Sequence, residues 1–238
     1  MLIAQHLAKI LGDYAAVSDV TLYVRRAEKV ALLGPGGAGK TTVFRMIIGI
    51  IVPDYGRITL DDADITNIPV YERSRRGLSY LPQEPSVFPT MTVEQNLLIA
   101  LEAHEPDAKR RRAIVAELLT TFRIGNVAKF RSGQISGGER RRCEIARAIA
   151  SNPSFVLLDE PFAGLDPIAI GDMRIVIDSL IDRGIGVLIT DHNIRETLSF
   201  VDRAYIIKDG RILMEGSGEA IIASPEVRRS YLGAGFSL

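Results

Sequence analysis

The stretch Gly34-Pro35-Gly36-Gly37-Ala38-Gly39-Lys40-Thr41-Thr42 follows the apolar run Val30-Ala31-Leu32-Leu33 and precedes a second apolar run over residues 43–52. Its spacing is G-x-x-x-x-G-K-T, in which a glycine-rich turn points successive backbone N–H groups inward to cradle phosphate oxygens. Lys40 is placed to reach β- and γ-phosphates as a point charge, and the Thr41 hydroxyl to meet Mg²⁺. The helix that follows aims its positive end at the anion. A glycine-rich turn that merely contains Lys-Thr would not need an apolar strand before it and an apolar helix after it.

Working outward, the 238 residues are 47% hydrophobic and carry 29 basic and 29 acidic side chains, which fits one globular unit with a substantial core. A neutral total gives no electrostatic footprint for nucleic acid, which argues against it as a direct partner. The lone Cys143 rules out an intramolecular disulfide and suits a reducing compartment. No leader pattern opens the chain and no apolar stretch reaches the roughly 20 residues that span a bilayer. The expectation is a cytoplasmic protein that reaches any membrane through partners.

Residues 1–29 alternate, with Val20, Leu22 and Val24 on one face and Thr21, Tyr23 and Arg25 on the other, so an antiparallel sheet opens the chain. A strand around residues 56–60 ends in the acidic pair Asp61-Asp62 and continues that sheet. The run 43–52 is apolar nearly all round and predicts a helix buried on several sides, stopped before Pro53. Residues 91–131 change character. One helix opens at Met91-Thr92-Val93, and another carries Ile114, Leu118 and Phe122 at fourfold spacing, which makes a helical insert. The basic run Lys109-Arg110-Arg111-Arg112 at the start of that helix reads as a solvated face, because no aromatic residues interleave it.

Polar residues that follow short apolar strands carry the chemistry. Gln83 comes after Leu78-Ser79-Tyr80-Leu81-Pro82, at a strand end where open α/β sheets place ligands, and its amide suits Mg²⁺ or an attacking water. Phe155-Val156-Leu157-Leu158 delivers Asp159, placed to hold Mg²⁺ through water, and Glu160, placed to polarise the water that attacks a γ-phosphate. Val187-Leu188-Ile189-Thr190 delivers His192, placed for the γ-phosphate or for the Glu160 region. Ser136 and Glu139 form a capping box, and Gly137 and Gly138 between them expose backbone N–H groups at a helix start, which makes a second phosphate site. One nucleotide does not need two such loops in one subunit. The economical reading is that this face serves a nucleotide held by another copy of the chain.

In this order the motifs resemble those of the ATP-binding cassette family over nearly the whole length. Gly34, Pro35, Gly36, Gly37, Ala38, Gly39, Lys40, Thr41 and Thr42 match its Walker A motif, Gln83 its Q-loop, and Ser136, Gly137, Gly138 and Glu139 its signature motif. Residues 155–159 match Walker B, with Glu160 catalytic, residues 164–166 the D-loop, and His192 the switch histidine. The resemblance implies an α/β fold: a P-loop NTPase core with a mainly parallel sheet, an N-terminal antiparallel β subdomain and an inserted α-helical subdomain at about 88–152. The chain, 1–238, would then be a single nucleotide-binding domain. The resemblance also implies ATP and Mg²⁺ as cofactors, with Thr41, Gln83 and Asp159 on the metal, and a head-to-tail homodimer sandwiching ATP. Two transmembrane subunits would be its partners, on the cytoplasmic face of the inner membrane.

Within the family, Tyr80-Leu-Pro-Gln-Glu-Pro, Phe162-Ala-Gly-Leu-Asp-Pro-Ile, residues 190–198 and the tail 231–238 look like the branch that powers lipopolysaccharide extraction. The ATPases of branched-chain amino-acid importers share the Tyr-Leu-Gly tail and form the alternative, ahead of a soluble cassette ATPase without membrane partner. A guanine-nucleotide switch would need an Asn/Thr-Lys-x-Asp stretch, which the sequence lacks. Three positions depart from the pattern: Gly36 stands where asparagine is usual, Pro89 where arginine is expected, and Leu11 where an aromatic stacks on adenine. Tyr14, three residues further on, is the aromatic offered to adenine instead.

Overall fold

In the computed structural model, which describes residues 1–232, the alternating start of the chain forms two antiparallel strands, β1 (Leu2–Leu11) and β2 (Tyr14–Val24). Val20, Leu22 and Val24 are buried while Thr21 and Arg25 face water, the period of a half-buried sheet. β3 (Lys29–Leu33) runs into the glycine-rich loop and α1 (Lys40–Ile48). β4 (Tyr55–Leu60) pairs antiparallel with β1, and the two-residue β5 (Ala63–Asp64) with β4, so the opening sheet is extended as expected. α2 (Val70–Arg75) precedes β6 (Leu78–Leu81). α3 (Val93–Glu102), α4 (Ala108–Thr121) and α5 (Gly137–Ile149) follow before β7 (Phe155–Asp159). Helices and strands then alternate through α6 (Pro167–Asp182), β8 (Gly186–Thr190), α7 (Ile194–Leu198), β9 (Arg203–Lys208) and β10 (Arg211–Gly216). The short α8 (Gly218–Ala223) and α9 (Pro225–Val227) follow, and a π-helical turn over Arg228–Leu232 comes after them. Of the tail 231–238, residues 233–238 lie outside the described residues.

Among the described residues the strands form one mixed sheet in the order β5-β4-β1-β2-β10-β9-β3-β8-β7-β6. The block β9-β3-β8-β7-β6 is parallel. β7 and β8 are buried throughout, as strands covered on both faces must be. The antiparallel block meets the parallel one where β10 lies beside β2, with Arg211 opposite Asp19.

The core divides in two across the parallel strands. On one face α3, α4, α5 and α6 pack Leu97, Leu118, Ile145 and Ile177 against Val156, Leu158 and Ile189. On the other, α1 lies between the parallel strands and the antiparallel sheet, touching Leu32, Leu157 and Leu188 on one side and Leu2, Val20 and Leu22 on the other. That double covering is why α1 is apolar nearly all round. Phe44, Met46 and Ile47 are wholly buried, and burial of each such side chain contributes roughly 1.5–3 kcal/mol.

The helix expected over 43–52 is shorter and earlier. It starts at Lys40 and stops at Ile48, because Gly49 takes the left-handed conformation (φ 91°) and its N–H turns back to the carbonyls of Arg45 and Met46. Pro53 is too late to set the boundary. The open carbonyls at this end are met by Arg73 of α2, whose side chain is wholly buried. Its Nη1 donates to Met46 O at 2.8 Å and Ile47 O at 2.6 Å, Nη2 to Thr66 O at 2.7 Å, and Nε to Ile68 O at 2.7 Å. Burial pulls this guanidinium down to about 10, so it remains a cation at neutral pH, at the end of the helix where a cation is favoured. A Cβ at position 49 would stand 2.7 Å from Arg73 Nε, so glycine and arginine fit as a pair.

Arg73→Met should therefore cost about 3 kcal/mol, since it strands buried carbonyls without a donor. Urea unfolding measures it, and a loss below roughly 1 kcal/mol would mean that these carbonyls find other partners.

Candidate nucleotide site

The glycine-rich loop is held from both sides. Gly39 sits at φ 106°, and a Cβ there would meet Ala16 O at 2.5 Å, so only glycine lets β2 come this close. Gly36, where the family pattern favours asparagine, has nothing within 4 Å of the Cβ position, and the backbone makes no demand for glycine. Lys40 is buried at the head of α1, and its Nζ donates to Gly34 O at 2.7 Å and Pro35 O at 2.9 Å. Burial lowers its pKa, while the carboxylates of Glu160 and Asp159 pull it back up. The ammonium is thus stored across its own loop, close to the acids of β7. Thr41 is exposed and Thr42 half-buried at the same helix start.

Leu11 and Tyr14 are cross-strand partners at the β1–β2 hairpin, and both line a cavity of about 230 Å³ with Gly37, Ala38, Gly39, Lys40, Thr41 and Thr42. The Tyr14 hydroxyl donates to Gly37 O at 3.3 Å, although the side chain is 59% exposed. The hairpin brings Tyr14 to the loop's rim despite its shifted position in sequence.

Three adjacent parallel strands, β8, β7 and β6, deliver His192, Asp159 with Glu160, and Gln83 at their C-terminal ends. Glu160 itself lies just past β7 in the left-handed region (φ 51°), its N–H donating to Thr190 O at 2.7 Å. This conformation costs a non-glycine residue about 1–2 kcal/mol. It directs the side chain between the neighbouring strand ends. Gln83 Nε2 donates to Glu160 Oε2 at 2.7 Å, and His192 Nε2 stands 2.5 Å from Oε1. Both carboxylate oxygens are therefore engaged, one from each flanking strand.

Asp159 points to the opposite face, toward α1. It lines a cavity of about 250 Å³ with Thr41 and Gln83. A hydroxyl, an amide and a carboxylate are the hard oxygen donors that suit Mg²⁺, which keeps several waters and takes the rest of its shell from phosphates. Among the described residues no three His, Cys, Asp or Glu side chains cluster as a metal site. Burial pushes the Asp159 carboxyl up, against the Tyr80 hydrogen bond and the nearby Arg141, Arg45 and Lys40.

Ser136 caps α5, accepting from Glu139 N–H while the Glu139 carboxylate accepts from Ser136 N–H. Gly137 lines a small cavity with Gln83, Glu160 and Gly164, whereas the loop 37–42 lines another. Ser136 and Gly137 are exposed at the helix start.

Arg141 is a site residue that the sequence reading passed over. It is buried, and its Nη2 donates to Asp159 O at 2.9 Å and Glu160 O at 3.2 Å, while Nη1 donates to Pro82 O at 3.0 Å and Glu144 Oε2 at 3.0 Å. Glu144 accepts from Ser86 N–H at 2.9 Å, and Arg147 donates to Ser86 O. One face of α5 thus grips the segment after Gln83. The available signal was an opposite-charge pair at i, i+3 on the helix face that also carries Ile145 and Ile149. Phe88 at the end of that segment is 44% exposed, under the Arg147 guanidinium 5.0 Å from its ring centroid, with its backbone tied to Asn96. It is not a core residue.

The ABC transporter family's sequence pattern matches residues 17–163, so the chain belongs to that family. Its fold is an ATP-binding cassette, and its activity is ATP hydrolysis coupled to transport. It is 58% identical to a probable ABC transporter ATP-binding protein of Azorhizobium caulinodans, over 98% of this chain and 83% of that protein. It is 48% identical to the lipopolysaccharide export system ATP-binding protein LptB of Escherichia coli K12, over 100% of this chain and 99% of that one. Among solved structures it resembles the dimeric post-hydrolysis state of the cassette MJ0796 bound to ADP and Pi. The TM-score there is 0.80 at 26% identity, over 91% of this chain and 98% of that one.

Glu160→Gln keeps the shape and the Gln83 and His192 neighbours but removes the base, so ATPase turnover should fall by about 10²-fold or more while ATP still binds. Steady-state hydrolysis together with equilibrium ATP binding checks this, and near-normal turnover would remove Glu160 from the role.

Proposed function

We propose that this chain is the ATPase of a lipopolysaccharide-extracting transporter. On this reading it works as a head-to-tail homodimer on the cytoplasmic face of the inner membrane, beneath two transmembrane subunits. The observation that carries the reading is the doubly held carboxylate of Glu160, beside a phosphate loop whose lysine is parked on its own carbonyls. Glu160 is held at both oxygens and Lys40 on two carbonyls of its own loop, which supports a role for both in γ-phosphate chemistry. The cargo rests on similarity along the full chain to LptB.

ATP entering between Tyr14 and the loop draws Lys40 Nζ from Gly34 O and Pro35 O to its β- and γ-phosphates, while α1 presents its N–H groups. Thr41, Gln83 and Asp159 would hold Mg²⁺. When bound, the ion neutralises charge on the β- and γ-oxygens. As Gln83 turns to that side it leaves Glu160 Oε2, freeing this oxygen to take the proton from water attacking the γ-phosphate. His192, mostly exposed, then turns to the γ-phosphate itself. Ser136 with the N–H groups of Gly137 and Gly138 supplies the remaining donors to the nucleotide of the other copy. Because α5 grips residues 82–88, movement of Gln83 is transmitted to Phe88, which serves as the aromatic anchor for a transmembrane subunit. No helix among the described residues is long and apolar enough to cross a membrane.

Three experiments test this reading. Mixing Lys40→Ala with Ser136→Arg chains should restore part of the ATPase activity lost in each homodimer, since one composite site in the mixed dimer is intact. Mixed dimers without recovery would argue for self-contained or strictly coupled sites. For the cargo, the chain purified with its membrane partners should release lipopolysaccharide from vesicles on addition of ATP, and the Glu160→Gln complex should not. Hydrolysis without release would refute the cargo, and Phe88→Ala should leave ATP binding intact while the chain loses its partners.

A further inference from the structure

The Asp159 carboxylate is buried at the end of β7, and one side chain donates to it: Tyr80 Oη to Asp159 Oδ2 at 3.0 Å. Among the described residues no other hydrogen bond reaches this carboxylate. Arg141 donates to the Asp159 main-chain carbonyl instead, and Lys40 to Gly34 and Pro35. The sheet register explains the pairing. Tyr80 of β6 lies opposite Leu157 of β7, and both pack against the α1 core, so Asp159 is two residues further along the same face. Diagonal neighbours of this kind are within reach of an aromatic side chain. Tyr80 also lines the cavity shared by Thr41, Gln83 and Asp159.

We propose that Tyr80 is the positioning residue for the metal side of the site: its hydroxyl holds Oδ2 and leaves Oδ1 of Asp159 facing the cavity where Thr41 and Gln83 converge. The inference rests on the reading of Asp159 as a Mg²⁺ group. A carboxylate held by one donor keeps a single rotamer, and partners that orient a ligand in this way typically tune metal affinity by 10- to 100-fold. Asp159 would meet the ion through water, so a smaller effect of about 3- to 10-fold is expected here. Tyr80 lies on the same strand that leads to Gln83. One ring therefore sets the spacing between two of the three metal-side groups.

The test uses full-length Glu160→Gln protein with ATP, so that nothing is hydrolysed, and reads Mn²⁺ affinity by electron paramagnetic resonance. Adding Tyr80→Phe should weaken Mn²⁺ about 3- to 10-fold, while ATP affinity in EDTA stays close to the parent's. Asp159→Asn in the same background is the reference. If Asp159→Asn weakens Mn²⁺ and Tyr80→Phe leaves it within twofold, the Tyr80 hydroxyl merely satisfies a buried carboxylate and the proposal fails alone. If Asp159→Asn also leaves Mn²⁺ unchanged, the reading of Asp159 fails and takes the proposal with it. A Tyr80→Phe protein that loses metal-free ATP binding to the same extent would show a general structural role and would likewise overturn the proposal.

Discussion

The burial of α1 between two sheets is the constraint on which the site depends. A phosphate loop is a run of glycines with little conformational preference of its own, so its shape must be imposed from outside. Here the imposition comes from both ends of one helix. At the start, β2 presses close enough that Gly39 admits no side chain; at the finish, Arg73 caps the last carbonyls beside Gly49. The apolar body of α1 fixes its height between the layers. Lys40 and Thr41 inherit their positions from that packing.

The second organising feature is the convergence of strand ends. Parallel strands in adjacent positions end at the same edge of the sheet, so residues distant in sequence meet without any local motif linking them. Glu160 gains its place by leaving the strand in a left-handed turn, and its neighbours Gln83 and His192 close on it from either side. Each oxygen of the carboxylate thus meets one side chain, from a different strand end. α5 extends the same logic to both sides of Gln83, because Arg141 holds the carbonyl of Pro82 before it while Glu144 and Arg147 hold the backbone of Ser86 after it.

Much of this was legible in the sequence, for identifiable reasons. The glycine-rich loop, the four apolar residues before Asp159 and the capping box of Ser136 and Glu139 are local patterns in which neighbouring residues specify both structure and chemistry. The opening strands declared themselves by alternation. What stayed hidden depends on distant backbone. Arg73 reads as one of several surface arginines near the end of α2, and only the carbonyls of α1, more than 20 residues away in sequence, give it a purpose. Arg141 sat in a basic run and Tyr80 in a strand; each acquires its partner through sheet register or helix packing. The end of α1 was misread because the apolar pattern continues past Gly49, while the backbone turns there.

The meeting of β2 and β10 has a consequence for how the molecule responds to its ligand. Beyond the pair Arg211 and Asp19, the junction consists of the Ser18 and Asp19 N–H groups sharing Gly210 O, while Gly210 N–H donates to Ala38 O of the phosphate loop. Among the described residues few hydrogen bonds thus join the two halves of the sheet along this seam, although α1 packs against both, and Tyr14 with its hydroxyl on Gly37 O crosses it from the antiparallel side. A nucleotide lying between Tyr14 and the loop would act as a rivet through both layers. Its binding free energy would then be felt as cohesion of the whole cassette, since a ligand that binds only the joined state stabilises the join.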